Sequence, residues 1–221
     1  MILDHVWGTK IAMVVVDVQR KFTLTVPDWE QRMVPAVASI NRFADLFRSY
    51  GAPVIFIRFE GKSHCDYDKD DADEWLPGIE VRDSDIIVSK RNMSCFKNTN
   101  LYDILSENGI DSVLLAGMLT EFCVASTYFG AAERDIFPCV AKDGLISYDA
   151  DGNKAAEIML NVAGMDLIRT FLAGEQPEMT YEERRKCRSF SEQIRTAVPK
   201  PSDRPFLRRS RNCIPRPGKA S

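Results

Sequence analysis

The sequence predicts an α/β fold in which a parallel sheet carries helices on both faces. Two observations lead there. Short runs of β-branched and aliphatic residues recur along the chain, and segments with helical spacing separate them. The runs are apolar almost throughout, as strands covered on both faces must be.

Each element can be justified in order. "KIAMVVVDVQ" is a β-branched run that ends in a carboxylate, Asp17. "DWEQRMVPAVASINRFADLFRSYG" places Met33, Val37, Ile40, Phe43, Ala44 and Phe47 on one helical face and stops at Gly51. "APVIFIRF" is a second strand. Residues 60–77 are acidic and aperiodic, which predicts a long loop of the kind that forms lids over sites. "DSDIIVSK" is a third strand ending in Lys90, and "NTNLYDILSENG" is a helix stopped by Gly109. "IDSVLLAG" is a fourth strand that runs into the helix "TEFCVASTYFGAAERD". "IFPCVAKDG" is a fifth strand, "DGNKAAEIMLNVAG" a helix with Asp151 as expected N-cap, and "MDLIRT" a sixth strand. After Glu175 the apolar periodicity ends, so a domain over 1–175 and an extension over 176–221 are expected.

Composition narrows the function. The 221 residues are 45% hydrophobic, enough for one core, and no apolar run reaches a membrane span. Met1 to Lys10 has no basic stretch ahead of an apolar one, so a cytoplasmic protein is expected. Residues 180–221 hold twelve Lys/Arg against four Asp/Glu, a charge of +8, which leaves −11 for residues 1–179 within the total of −3. A basic tail of this kind reads first as a solvated extension, and second as an arm for nucleic acid or a partner. None of the six cysteines forms a CxxC pair, and two histidines are too few for a polyhistidine zinc site. No glycine-rich phosphate loop is present.

In a parallel sheet, ligands sit beyond the carboxyl ends of the strands. Asp17 and Lys90 close two strands, and the fourth strand leads to Cys123. An acid, a base and a thiol thus converge on one edge. Taken singly, each reads as structure: a strand-end cap, a snorkelling lysine and a small buried thiol. A thiol in the first turn of a helix, however, faces unpaired N–H groups that favour thiolate.

The motifs "VVVDVQRKF", "IIVSKRNMSCFKNTNL", "VLLAGMLTEFCVASTYFGAAERD" and "CVAKDG", in this order, resemble the isochorismatase-like cysteine hydrolases, the group that includes nicotinamidases, N-carbamoylsarcosine amidases and isochorismatases. The resemblance implies a three-layer α/β/α fold with a six-stranded parallel sheet. It implies Cys123 as nucleophile, Asp17 as general acid/base and Lys90 as the cation that holds both and favours the thiolate. It implies a cis peptide between Met118 and Leu119, and an oxyanion hole made by the N–H groups of Leu119 and Cys123. Gln19, Phe22 and Met118 match pocket positions, and Ser94 and Phe96 match an "SxF" element with Cys95 between them. Arg58, Glu60, His64, Trp75 and Arg91 stand where substrate choice is expected. No cofactor is implied. The segment "RFEGKSHCD" lacks the D-x-H spacing of metal-binding nicotinamidases, so no metal is expected. Hydrolysis of a C–N bond in a small amide or ureide is the leading expectation. Vinyl-ether hydrolysis, or a degenerate scaffold with a binding tail, are the alternatives. The resemblance also suggests a homodimer or homotetramer.

Overall fold

The computed structural model describes residues 10–61, 69–149 and 151–175. The expected extension 176–221 lies outside them, as do His64, Cys65, Cys187 and Cys213. Six strands form one all-parallel sheet: β1 (Ile11–Val16), β2 (Val54–Phe59), β3 (Ile86–Lys90), β4 (Ser112–Met118), β5 (Phe137–Ile146) and β6 (Val162–Ala163), in the order β3-β2-β1-β4-β5-β6. The order reverses between β1 and β4, so a crevice opens there at the carboxyl edge.

Burial follows the pleat. Ile11, Met13 and Val15 of β1 pack toward α1 (Trp29–Ser49) and α5 (Met165–Leu172). Ala12, Val14 and Val16 pack on the other side, toward α2 (Leu101–Glu107), α3 (Ala125–Ala132) and α4 (Gly152–Met159). A strand buried on both faces needs an apolar side chain at every position, and β1 has one.

Three expectations change. "MDLIRT" is not a strand but the first part of α5, and the sixth strand is the two-residue β6 just before it. Ile168 is fully buried, while Asp166 and Arg169, one turn apart, pair at 2.9 Å on the outside. That is a helical face, hidden in a run too short to show its period. The preceding helix accordingly ends at Met159. Asp151 stands at the N-cap of α4 but does not cap it, because its carboxylate pairs with Lys154 at 2.9 Å. A short 3-10 helix, Arg20–Thr25, follows β1 where the sequence pattern predicts no element.

The seam between β1 and β4 decides where the site forms. Val16 pairs with Gly117, the residue before Met118. Gly117 has φ +110°, and a Cβ there would overlap the Val16 carbonyl oxygen and come within 2.8 Å of the Val16 nitrogen. Only glycine allows this approach. Gly117→Ala is expected to cost about 3 kcal/mol. Thermal unfolding should then show a melting temperature lower by about 6–12 °C.

Candidate active site

Asp17 is the first residue beyond β1. Its backbone leaves the strand through a left-handed conformation, φ +50°, and its N–H donates to the Ile57 carbonyl at 3.2 Å. This bend brings the carboxylate under the sheet edge, where the residue is 1% exposed. Lys90, the last residue of β3, reaches across β2. Its Nζ lies 2.7 Å from Asp17 Oδ2 and donates to the Met93 carbonyl at 2.8 Å.

Cys123 arrives from β4. After the Met118–Leu119 peptide, which is cis, residues Thr120–Val124 form a π-helical turn that leads into α3. The turn closes as the N–H groups of Phe122 and Val124 both donate to the Leu119 carbonyl, at 3.1 and 3.2 Å. Single π-turns of this kind concentrate at functional sites. Cys123 is partly buried and in electrostatic contact with both Asp17 and Lys90.

The charges set the resting protonation. Burial raises the Asp17 pKa, and the Lys90 ammonium opposes that rise. Burial works against the Lys90 cation, but the acidic groups around it (Cys95, Asp17 and Cys123) outweigh burial and raise its pKa. The Cys123 thiol is pushed up to about 12, first by burial and then by the Asp17 carboxylate, with Lys90 pulling the other way. The desolvation of the pocket exceeds what a helix start and one ammonium offer, so the thiol keeps its proton until a base takes it.

The other expected residues divide. Phe22 stands beside the cluster: its ring meets Phe59 edge-on at 5.7 Å, and Lys90 Nζ is 5.7 Å from the Phe59 ring centre. Gln19 and Met118 are fully buried. The Gln19 amide bonds to backbone, donating to the Phe59 and Asp73 carbonyls and accepting from the Phe59 N–H at 2.7 Å. Arg58 and Trp75 stack on each other, the guanidinium 4.9 Å from the ring, and Trp75 meets Phe56 on the α1 face. Cys123 packs on the opposite face. Arg91 and Glu60 form an exposed pair at 3.8 Å. Ser94 and Phe96 dock on α3, where Gly130 leaves room for the Ser94 hydroxyl and Arg134 covers the Phe96 ring at 5.1 Å.

Three participants escape sequence reasoning. Lys21 is 3% exposed, donates to the Phe59 and Gly61 carbonyls at 3.1 and 3.0 Å, pairs with Asp73 and adds positive potential at Asp17. "QRKF" gives no sign that its lysine is buried. Cys95 is fully buried near Lys90, and burial pushes its thiol up to about 12. Thr127 joins the two cysteine segments, donating to the Cys123 carbonyl at 2.6 Å and accepting from the Cys95 N–H at 3.1 Å.

The acidic loop is not a free lid in its described part. The N–H groups of Arg20 and Lys21 donate to Glu74 and Ala72, the Leu76 N–H donates to Val18, and Arg20 pairs with Asp71 at 2.8 Å. Residues 71–76 are therefore strapped to 18–21 as a wall. Among the described residues, no cluster of three or more His, Cys, Asp or Glu is placed to hold a metal. No described helix is long and apolar enough to cross a membrane.

This geometry has counterparts. A family model described as the Isochorismatase domain matches residues 11–170. The uncharacterized isochorismatase family protein YrdC of Bacillus subtilis (strain 168) is 31% identical over 121 residues, 53% of this chain and 64% of that protein, so the chain spans less than two thirds of that relative's length. Among solved structures, a putative isochorismatase from Burkholderia xenovorans LB400 aligns with a TM-score of 0.65 at 22% identity, over 84% of this chain and 99% of that one. N-carbamoylsarcosine amidase from Thermoplasma acidophilum aligns with a TM-score of 0.58 at 24% identity, over 70% and 95%. At these identities the two structures establish the shared fold.

The electrostatics give a prediction with opposite signs for two substitutions. Asp17→Asn removes a group that holds the Cys123 thiol up, so its pKa falls and more thiolate is present at pH 8. Iodoacetamide should then alkylate Cys123 about tenfold faster. Lys90→Met removes the opposing cation, so alkylation slows. Rates read by mass on the Cys123 peptide check both, and slower alkylation of Asp17→Asn overturns the assignment.

Proposed function

The chain belongs to the isochorismatase family, and from that premise we propose that it is a cysteine hydrolase cleaving a C–N bond in a small amide or ureide. The observation that carries this reading is the buried contact of Asp17 with Lys90 beside the Cys123 thiol. Vinyl-ether cleavage needs a proton donor and a water molecule, but no thioester and so no nucleophile from the protein. A thiol held between a carboxylate and an ammonium, at the topological switch of the sheet, suits acyl transfer.

The steps follow from the protonation state. Cys123 Sγ attacks the carbonyl carbon while its proton passes to the Asp17 carboxylate, which burial makes more basic than an ordinary one. Lys90 keeps its charge throughout and stabilises the developing thiolate. The oxyanion is received by the N–H groups of Leu119 and Cys123. Asp17 returns the proton to the departing nitrogen, and ammonia or an amine leaves from a thioester on Cys123. Water then adds to the thioester carbonyl as Asp17 takes its proton, the C–S bond breaks, and the thiol is restored. Phe22 and Phe59 form an aromatic wall suited to a small planar amide.

A screen of small amides and ureides for ammonia release tests the proposal. Cys123→Ala should lower the turnover found by at least about a thousandfold with an unchanged melting temperature, and mass spectrometry of the wild type should show an acyl adduct on Cys123. Full turnover in Cys123→Ala removes the covalent mechanism. Pyruvate release from isochorismate that survives the substitution establishes ether hydrolysis in its place.

A further inference from the structure

The segment Ser147–Asp149 follows β5 at the same sheet edge as Cys123, and its polar backbone is gripped from two sides. Glu121, two positions before the thiol, accepts the Ser147 hydroxyl and the N–H groups of Tyr148 and Asp149, each of these at 3.2 Å. Arg32 of α1 donates to the carbonyls of the same three residues, at 2.8 Å to Ser147, 3.1 Å to Tyr148 and 2.9 Å to Asp149. Beside them, the Thr120 hydroxyl donates to Asn153 Oδ1 at 2.8 Å, and the Asn153 amide donates to the Leu145 carbonyl at 2.9 Å. Gly152 keeps the space open, since a Cβ there would overlap the Ser147 hydroxyl and come within 2.7 Å of a Glu121 carboxylate oxygen.

We infer that Glu121 and Arg32 are positioning residues that act together through Ser147–Asp149 to hold the oxyanion-binding turn. The inference rests on the reading of Cys123 as a nucleophile that attacks carbonyl groups. The physical need is clear. A five-residue π-turn is a rare local conformation, and this one must present the Leu119 and Cys123 N–H groups in a fixed direction. Its neighbours on the sheet are already fixed, because Gly117 and Met118 pair in register with Leu145 and Ile146. The clamp extends that register past the end of the sheet to the turn. Misplacement of such donors by about 1 Å costs about a hundredfold in rate.

Two reagents separate this role from general loosening. Iodoacetamide alkylates Cys123 by displacement of iodide at carbon and uses no oxyanion site. p-Nitrophenyl acetate is attacked at its carbonyl: the S–C bond forms, the ester C–O bond breaks, and p-nitrophenolate leaves with the electron pair. The full-length protein, Glu121→Ala, Arg32→Ala and the double variant are treated with each reagent, and modification is read by mass on the Cys123 peptide.

Acetylation is expected to slow about tenfold in each single variant and by about the same factor in the double variant, because both residues act on one segment. Alkylation should stay within about twofold. Equal slowing of both reactions, unchanged acetylation, additive losses in the double variant, or a wild-type Cys123 that the ester does not acetylate each overturns the inference. If Glu121→Ala does not fold, Glu121→Gln, which keeps one acceptor oxygen, is measured in its place with the same expected ratio. Failure of the amidase reading shows elsewhere, as ammonia release that survives Cys123→Ala.

Discussion

One buried ion pair organises the carboxyl edge of the sheet. Asp17 and Lys90 meet at 2.7 Å with side chains 1% and 0% exposed. Either charge alone at that depth costs several kcal/mol, and losing one partner typically costs about 3–5 kcal/mol because the other is stranded. The pair therefore ties β1 to β3 across β2. It also sets the character of the pocket: the Lys90 and Asp17 pKa values are both raised, and the Cys123 thiol is pushed up to about 12. The burial that brings the Asp17 carboxyl and the Cys123 thiol together also raises the pKa of both.

The frame of the molecule is legible because burial writes itself into strands one residue at a time. Ile11–Val16 and Ser112–Met118 are apolar at nearly every position, and the three reactive groups fall where those runs and "IIVSK" end. What stays hidden depends on contacts distant in sequence. Gln19 reads as a pocket residue, yet its amide completes the backbone bonding of Phe59, forty positions away. Lys21 reads as surface until the end of β2 and Asp73 close around it. Arg58 and Trp75 both stand near the expected site in sequence, and find each other on the α1 face. Asp151 reads as a helix cap, but a lysine three residues on competes for the same carboxylate. "MDLIRT" misleads for another reason, since six residues carry less than two helical turns of pattern.

The site is built from parts of unequal rigidity, each with its own support. Asp17 and Lys90 stand at strand ends, and Cys123 sits in the turn beyond β4. The wall formed by residues 71–76 is strapped to the segment after β1 by backbone bonds and by Arg20. The thiol-bearing turn is joined to the Cys95 segment through Thr127 and to the segment after β5 through Glu121. Hydrogen bonds to backbone dominate these links, which suits a site that must keep its shape while side chains exchange protons.

The pinch at Gly117 has a consequence for how such a protein can change. Because Val16 and Gly117 lie against each other in register, the spacing between the acid and the turn that bears the thiol is inherited from the sheet. Loops can lengthen, shorten or be rewritten without altering it. Recognition and reaction are therefore separable traits in this architecture: lineages can explore new substrates at the loops while the chemistry is carried forward unchanged, and a designer could graft a foreign recognition loop onto the same edge with the reactive geometry already set.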